Sequence, residues 1–202
     1  MTTPSHFDTA AQTWDQRPMS LQLAQVSAHL LAVLPLDSSQ HWLDFGAGTG
    51  MLATALAAHV GRVTALDTSA NMLQVLRDKG FANVDTLCAD VFDGLPQSYD
   101  GVVSCMALHH VADTAGLLQV FFAHLRPGGR MALVDLVQED GSFHGDNEAK
   151  GVKHFGFAPD ALTTLAQQAG FVNVTLATVV EVRNRNGRDY PLFLLQGERP
   201  AT

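Results

Sequence analysis

From Ser20 onward apolar residues recur at Leu23, Val26, Leu30 and Val33, a helical stripe that stops at Pro35. Beyond it the pattern shortens. Five apolar runs of strand length, 41–45, 62–66, 84–88, 100–105 and 130–137, alternate with helix-period stretches near 51–59, 69–78 and 114–125. Strands alternating with helices of that length predict a parallel sheet with helices on both faces. The last third breaks the alternation. Pro159 opens and Gly170 closes a helix over 160–169, and two strand runs follow, 172–182 and 189–197. Asn184, Asn186 and Gly187 between them supply turn chemistry, so the sheet ends in a β-hairpin with an antiparallel strand. Residues 1–19 are polar, with aromatic punctuation at Phe7 and Trp14, and read as a mobile or docking arm. The expected fold is α/β, a doubly wound sheet closed by a hairpin. A single domain spans 1–202, with 1–35 as an N-terminal arm and helix forming a lid.

Composition narrows the partners. With 202 residues, 47% hydrophobic and 16% charged, the chain has material for one real core. A formal charge of -8 argues against nucleic acid or an anionic lipid surface, since both reward clustered Lys and Arg. Cys88 and Cys105 lie in apolar runs and are too few for a disulfide scaffold. They read as small buried hydrophobes in a reducing compartment. The opening Met-Thr-Thr-Pro-Ser-His lacks the regions of a signal peptide, and no run approaches the roughly 18 apolar residues of a membrane span. A soluble, cytoplasmic protein is expected, without membrane or nucleic-acid partners, as a monomer or homodimer.

The most informative stretch follows the first strand directly: Trp42-Leu43-Asp44-Phe45-Gly46-Ala47-Gly48-Thr49-Gly50. Glycines let a backbone turn with positive φ and approach a ligand closely, and the helix opening at Met51 aims its free N–H groups at the loop. The dinucleotide fingerprint G-x-G-x-x-G fails here, because the sixth position counted from Gly46 is Met51. Asp44, two residues before Gly46, would repel a pyrophosphate and favour an ammonium group. Both details point to a ligand with a cationic head. Asp67 ends the second strand, where an acid commonly accepts hydrogen bonds from ribose hydroxyls, and Asp90 ends the third within reach of an adenine amino group. A single acid at a strand end is usually a cap or turn residue. Three on consecutive strands share the crevice where such sheets bind ligands.

In order and spacing, five stretches resemble the class I S-adenosylmethionine-dependent methyltransferases of the small single-domain bacterial type: 43–50, Asp67-Thr68-Ser69-Ala70-Asn71-Met72-Leu73, Ala89-Asp90-Val91, Tyr99–Ser104 and Leu125–Arg130. The resemblance covers nearly the whole chain. It implies a Rossmann-like seven-stranded sheet of order 3-2-1-4-5-7-6 with strand 7 antiparallel. It also implies S-adenosyl-L-methionine as cofactor and S-adenosyl-L-homocysteine as product. Gly46, Ala47, Gly48 and Gly50 would lie under the methionine part, Asp44 beside it, Asp67 on the ribose, Met72 on the adenine and Asp90 at its amino group. Thr68, Ala89, Val91 and Cys105 would line the same site.

For the transfer itself, His109 and His110 stand just past the fourth strand, at the edge facing the cofactor. Adjacent side chains diverge on a helix or strand, so at most one of them is expected to face the substrate, with His110 favoured as base. The bland alternative has one packing on the next helix and the other bonding backbone. His144, Asp146, Glu148 and His154 crowd a short glycine-containing segment. No helical His-x-x-x-His or Cys-x-x-Cys spacing accompanies them, so a solvated loop is expected rather than a metal site. That loop follows strand five, which makes His154, Phe155 and Phe157 candidates for a substrate wall. Trp14 and Arg17 resemble the family's opening segment, which folds over the cofactor.

The acceptor is expected to be a small molecule attacking through oxygen, nitrogen or carbon. No target-recognition domain or basic stripe is evident, and Ser-Cys-Met-Ala stands after strand four where amide- and nucleobase-methylating relatives carry Asn-Pro-Pro-Tyr. A non-catalytic cofactor-binding module, a protein methyltransferase and a nicotinamide-dependent oxidoreductase are the alternatives.

Overall fold

The computed structural model describes residues 5–202. Its strands are β1 His41–Phe45, β2 Arg62–Asp67, β3 Val84–Cys88, β4 Tyr99–Cys105, β5 Leu125–Leu136, β6 Val172–Arg185 and β7 Arg188–Glu198. They form one sheet of order β3-β2-β1-β4-β5-β7-β6. The first five pair in parallel, and β7 runs antiparallel to both β5 and β6. The helices are α1 His6–Ala10, α2 Pro18–Val33, α3 Met51–Leu56, α4 Ala70–Asp78, α5 Thr114–His124 and α6 Pro159–Gln168. Short 3₁₀ turns cover Ala11–Gln16, Val91–Asp93 and Leu108–His110. Among the described residues no helix is long and apolar enough to cross a membrane.

Alternation along each strand divides the core into two layers. Trp42 and Val103 point to one face and meet Val26 and Leu30 of α2, Leu52 of α3, and Leu73 and Leu76 of α4. Leu43, Phe45 and Val102 point to the other and meet Leu117 and Phe121 of α5 and Leu162 of α6. Both faces are covered, so the central strands read as nearly continuous apolar runs. At the edge this protection ends. Cys88 closes β3 and is exposed, while Cys105 on the central β4 is partly covered, so neither is the fully buried hydrophobe that its apolar run suggests.

Two segments depart from the expected boundaries, and both matter for the site. Of the two readings expected for the arm, mobile or docking, residues 5–19 take the docked one. Ser5 caps α1 reciprocally with Asp8, and Asp8 accepts the Ser69 hydroxyl at 2.6 Å. Asp15 then takes the Thr49 hydroxyl and pairs with Lys79 at 2.7 Å. Five helical residues are too few for hydrophobic periodicity to declare itself, and the order comes from tertiary contacts, these polar ones together with the burial of Ala10 and Ala11. At the other end, β6 extends to Arg185. Asn186 and Gly187 both adopt positive φ, +52° and +74°, as a two-residue hairpin turn requires. Asn184, also at positive φ, lies where the strand register shifts. The longer hairpin reaches the loop after β5, where Asn186 Nδ2 donates to Ser142 O at 2.7 Å and Arg185 Nε to Phe143 O at 2.7 Å.

Candidate active site

A cavity of about 910 Å³ opens at the C-terminal edge of the sheet, at the upper end of the range for small-molecule sites. The loop between β1 and α3 forms its floor. Gly46 has φ +64°, and a Cβ there would stand 2.3 Å from Ala107 Cβ; Gly48 has φ +55° and meets nothing within 4 Å, so its bare backbone faces open space. Ala47 N donates to Leu66 O at 3.0 Å, and Gly48 N donates to Asp67 Oδ2 at 2.8 Å, tying the loop to the end of β2.

Three acids from three strands enter this half of the cavity. Asp44, only 2% exposed, accepts Ala53 N of α3 at 2.9 Å. Burial pushes its carboxyl up to about 8 against that single hydrogen bond, with nearby Asp67 adding to the rise. Asp67 uses each oxygen once, for Gly48 N and for Ser69 N at 2.8 Å. Burial raises its pKa, and these backbone bonds oppose the rise. Asp90 is exposed and caps the turn Val91–Asp93, accepting Phe92 N at 3.0 Å. Met72, Thr68, Ala89, Val91 and Cys105 also line the cavity. Of the cofactor residues expected from sequence, Gly50 alone is not on the lining. It caps α3 at φ +90°.

The other half is built on histidine. His109 is 1% exposed, and its Nδ1 lies 2.7 Å from Oδ1 of the fully buried Asp135 on β5. With Nδ1–H donated to that carboxylate, Nε2 of His109 is the ring atom left for a second partner. His144 Nε2 stands 2.9 Å from it, at hydrogen-bond distance. An Asp135–His109–His144 chain results. His110 also lines the cavity, its Nδ1 donating to Gly151 O at 3.3 Å and its ring meeting Phe7 edge-on. Both adjacent histidines therefore face the same space, contrary to expectation. They sit in a 3₁₀ turn, where rings 4.2 Å apart and tilted by 42° share one concave side. Burial lowers His110 to about 4 and His144 to about 3, so both are neutral at physiological pH.

The structure also relocates several expected residues. His144 leaves its acidic neighbours and joins His109 and His110, one nitrogen from each ring lying within 4.8 Å of the others; Asp146 and Glu148 stay exposed. His154, Phe155 and Phe157 do not line the cavity, so the expected substrate wall is corrected. His154 Nε2 donates to Val111 O at 2.9 Å, Phe155 lies exposed against Gly141, and Phe157 is buried on Phe193. That segment folds back onto β5, with Phe157 N donating to Leu136 O, which turns these side chains away. Trp14 and Arg17 do line the cavity, stacked at 4.8 Å, and Phe7 bridges Trp14 to His110. Asp135, Lys150 and Arg185 were not singled out from sequence. An acid inside the apolar run beside the histidine-bearing strand was the signal available for Asp135.

The methyltransferase-domain family model matches residues 15–176. The chain belongs to the methyltransferase domain family. That membership sets aside the nicotinamide-dependent alternative. An uncharacterized methyltransferase of Mycobacterium bovis is 40% identical over 114 residues, which are 54% of this chain and 57% of that protein. One of Schizosaccharomyces pombe is 30% identical over 151 residues, 65% and 53% of the two chains. The match thus spans little more than half the length of these relatives. In the solved complex of the Haloferax volcanii Trm112 methyltransferase activator, the methyltransferase superimposes with a TM-score of 0.82 at 21% identity, covering 98% of this chain and 100% of that one. At that identity the likeness concerns the fold.

Proposed function

We propose that this chain transfers a methyl group from S-adenosyl-L-methionine to a small-molecule acceptor. The observation that carries the reading is that one cavity joins the glycine loop and three strand-end acids to the Asp135–His109–His144 chain. The residues of the first half suit the cofactor. Gly48 offers a bare cradle, Asp44 is a buried carboxyl with one N–H partner and room for an ammonium, and Asp67 keeps a lone pair on each oxygen for ribose hydroxyls. When bound, the cofactor supplies an activated methyl on a sulfonium, which leaves as a neutral thioether.

The chain's own contribution is positioning and proton handling. Phe7 and Trp14 present an apolar wall to the cavity, and a bound acceptor that displaces water there would strengthen the polar contacts inside it. An acceptor that must lose a proton would pass it to Nδ1 of His144 as His144 releases its Nε2–H to Nε2 of His109, so that the positive charge comes to rest on His109 beside Asp135. Asp135 fixes the His109 tautomer and offsets the charge that develops on the ring. This moves the preference for proton transfer from His110 to His109, while His110 anchors Phe7. A concave cavity flanked by Phe7 and Trp14 favours a small acceptor over a protein surface.

Incubation with methyl-labelled S-adenosylmethionine and a metabolite extract, with products separated by size, tests the reading. Label in the small-molecule fraction is expected. Label in protein, or cofactor binding with no transfer from any extract, would overturn it.

Two finer expectations follow. Asp67→Ala should weaken S-adenosylhomocysteine binding by about 1–3 kcal/mol, the cost of losing charge-assisted bonds at a half-buried site; unchanged calorimetric affinity in a folded variant would remove Asp67 from the ribose. Asp44 makes binding pH-dependent. Its carboxyl is protonated in the ligand-free chain up to about pH 8, and an ammonium neighbour requires it ionised. Affinity should therefore rise with pH, by at most about tenfold per unit, and level off near 8, with a proton released per cofactor bound near neutrality. The same raised pKa favours the ligand-free fold at low pH, a contribution lost as pH rises through 8. Calorimetry in buffers of different ionisation enthalpy checks this, and Asp44→Asn should abolish the proton release.

A further inference from the structure

We propose that the acceptor half of the cavity binds an anionic small molecule, an apolar body bearing a carboxylate or a phosphate. The inference rests on the methyl-transfer reading, since it names the second ligand of that same site. Its basis is a segregation of charge across one cavity. The carboxylates on the lining are Asp15, Asp44, Asp67 and Asp90. Asp44, Asp67 and Asp90 hang from β1, β2 and β3, on one side of the sheet, and each accepts backbone N–H groups. Asp15 is taken by Lys79 and Thr49.

The remaining cations on the lining are Arg17, Lys150 and Arg185. Lys150 and Arg185 come from the opposite side of the sheet, in the loop after β5 and at the tip of β6, and Arg17 precedes α2. Each is partly buried, and among the described residues none has a carboxylate within ion-pairing distance. Lys150 Nζ spends one donor on His144 O, and Arg185 spends Nε on Phe143 O, which leaves the other donors of both groups free. Arg17 stacks on the Trp14 ring at 4.8 Å and Arg185 on the Phe143 ring at 4.5 Å, contacts that orient the guanidinium groups and leave all three cations without an anionic partner in a chain of net charge -8. Burial lowers the pKa of Arg185. A planar guanidinium and a mobile ammonium together fit a carboxylate or phosphate well. The walls beside them, Phe7, Trp14, Met19, Leu23 and Met106, suit an apolar body. A divalent ion at His109, His110 and His144 is the weaker reading. The His109–His144 hydrogen bond already satisfies the cluster, and Lys150 and Arg185 beside His144 oppose added positive charge.

The test uses the full chain saturated with S-adenosylhomocysteine. Its saturation, measured first, checks the cofactor reading separately: no cofactor binding would end that reading before the acceptor is addressed. Matched probes that differ in charge are then titrated by ligand-observed NMR. Benzoate is set against benzamide and indole-3-acetate against its amide, and phenyl phosphate with benzyl alcohol forms the phosphate arm. At least one anion should bind about tenfold more tightly than its neutral partner, and the stronger arm tells carboxylate from phosphate. Arg185→Gln and Lys150→Gln should each erase most of that ratio, whereas Arg185→Lys should keep it. A merely structural role for Arg185 would weaken both members of a pair and leave the ratio unchanged. Equal binding within every pair, no binding of any probe to the cofactor-loaded chain, or a ratio indifferent to both glutamine variants would overturn the proposal.

Discussion

Replacing His109 with Ala is expected to lower kcat by about 10²–10⁴-fold while S-adenosylhomocysteine affinity stays unchanged, the range set by losing a positioned proton-transfer group. The argument is geometric. His109 is the only one of the three clustered histidines whose ring is held by a carboxylate, and that carboxylate, Asp135, is fully buried. Asp135 also accepts Leu136 N at 2.7 Å, so its position is fixed by the strand that carries it. Because truncation leaves a buried carboxylate without its partner, loss of fold must be separated from loss of chemistry. Asp135→Asn does this. It preserves volume but removes the anion that selects the tautomer, so kcat should fall while the melting temperature moves less than in His109→Ala. His110→Ala should cost less in turnover and more in KM, because its ring holds Phe7 over the cavity. Normal turnover in a folded His109→Ala chain would remove the histidine chain from the mechanism.

The two halves of this site differ in how far they can be read from residues alone. The glycine loop and the strand-end acids are local. Asp44 and Gly46 lie two positions apart, and their relation to the first strand fixes where both sit. Short apolar runs separated by helix-period stretches are equally local, because strands covered on both faces are continuously hydrophobic. The histidine chain is not local. Asp135 belongs to Leu133-Val134-Asp135-Leu136, which reads as core. Only the pairing of β5 beside β4, Cys105 against Val134, brings the next residue under the turn carrying His109. His144 arrives from a loop whose own residues suggest acid-rich solvation. Arg185 depends on a still subtler cause: two positive-φ residues, Asn186 and Gly187, let β6 run three residues past its apolar pattern and deliver the guanidinium to the cavity. Segments that owe their place to pairing register or polar docking leave no periodicity to read.

Gly46→Ala is the second change expected to be severe, and it tests whether the two halves are mechanically one site. Two costs combine at this position. A φ of +64° costs an L-residue about 1–2 kcal/mol. The new Cβ would also stand 2.3 Å from Ala107 Cβ, a short side chain that cannot swing aside, and such overpacking costs about 1–3 kcal/mol. Relief requires the glycine loop or the segment at Ala107 to move. Ala107 immediately precedes the turn Leu108–His110, so movement there displaces His109 from Asp135. The variant should therefore lose cofactor affinity and turnover together, even though position 46 is not expected to touch the acceptor. Ala107→Gly removes the atom responsible for the second cost alone. The double variant Gly46→Ala/Ala107→Gly should regain about 1–3 kcal/mol of stability relative to Gly46→Ala and most of its turnover, while keeping the φ penalty, a coupling that a double-mutant cycle on melting and kcat reads directly. If the two changes prove additive, the loop and the histidine turn are independent, and Gly46 serves its backbone conformation only.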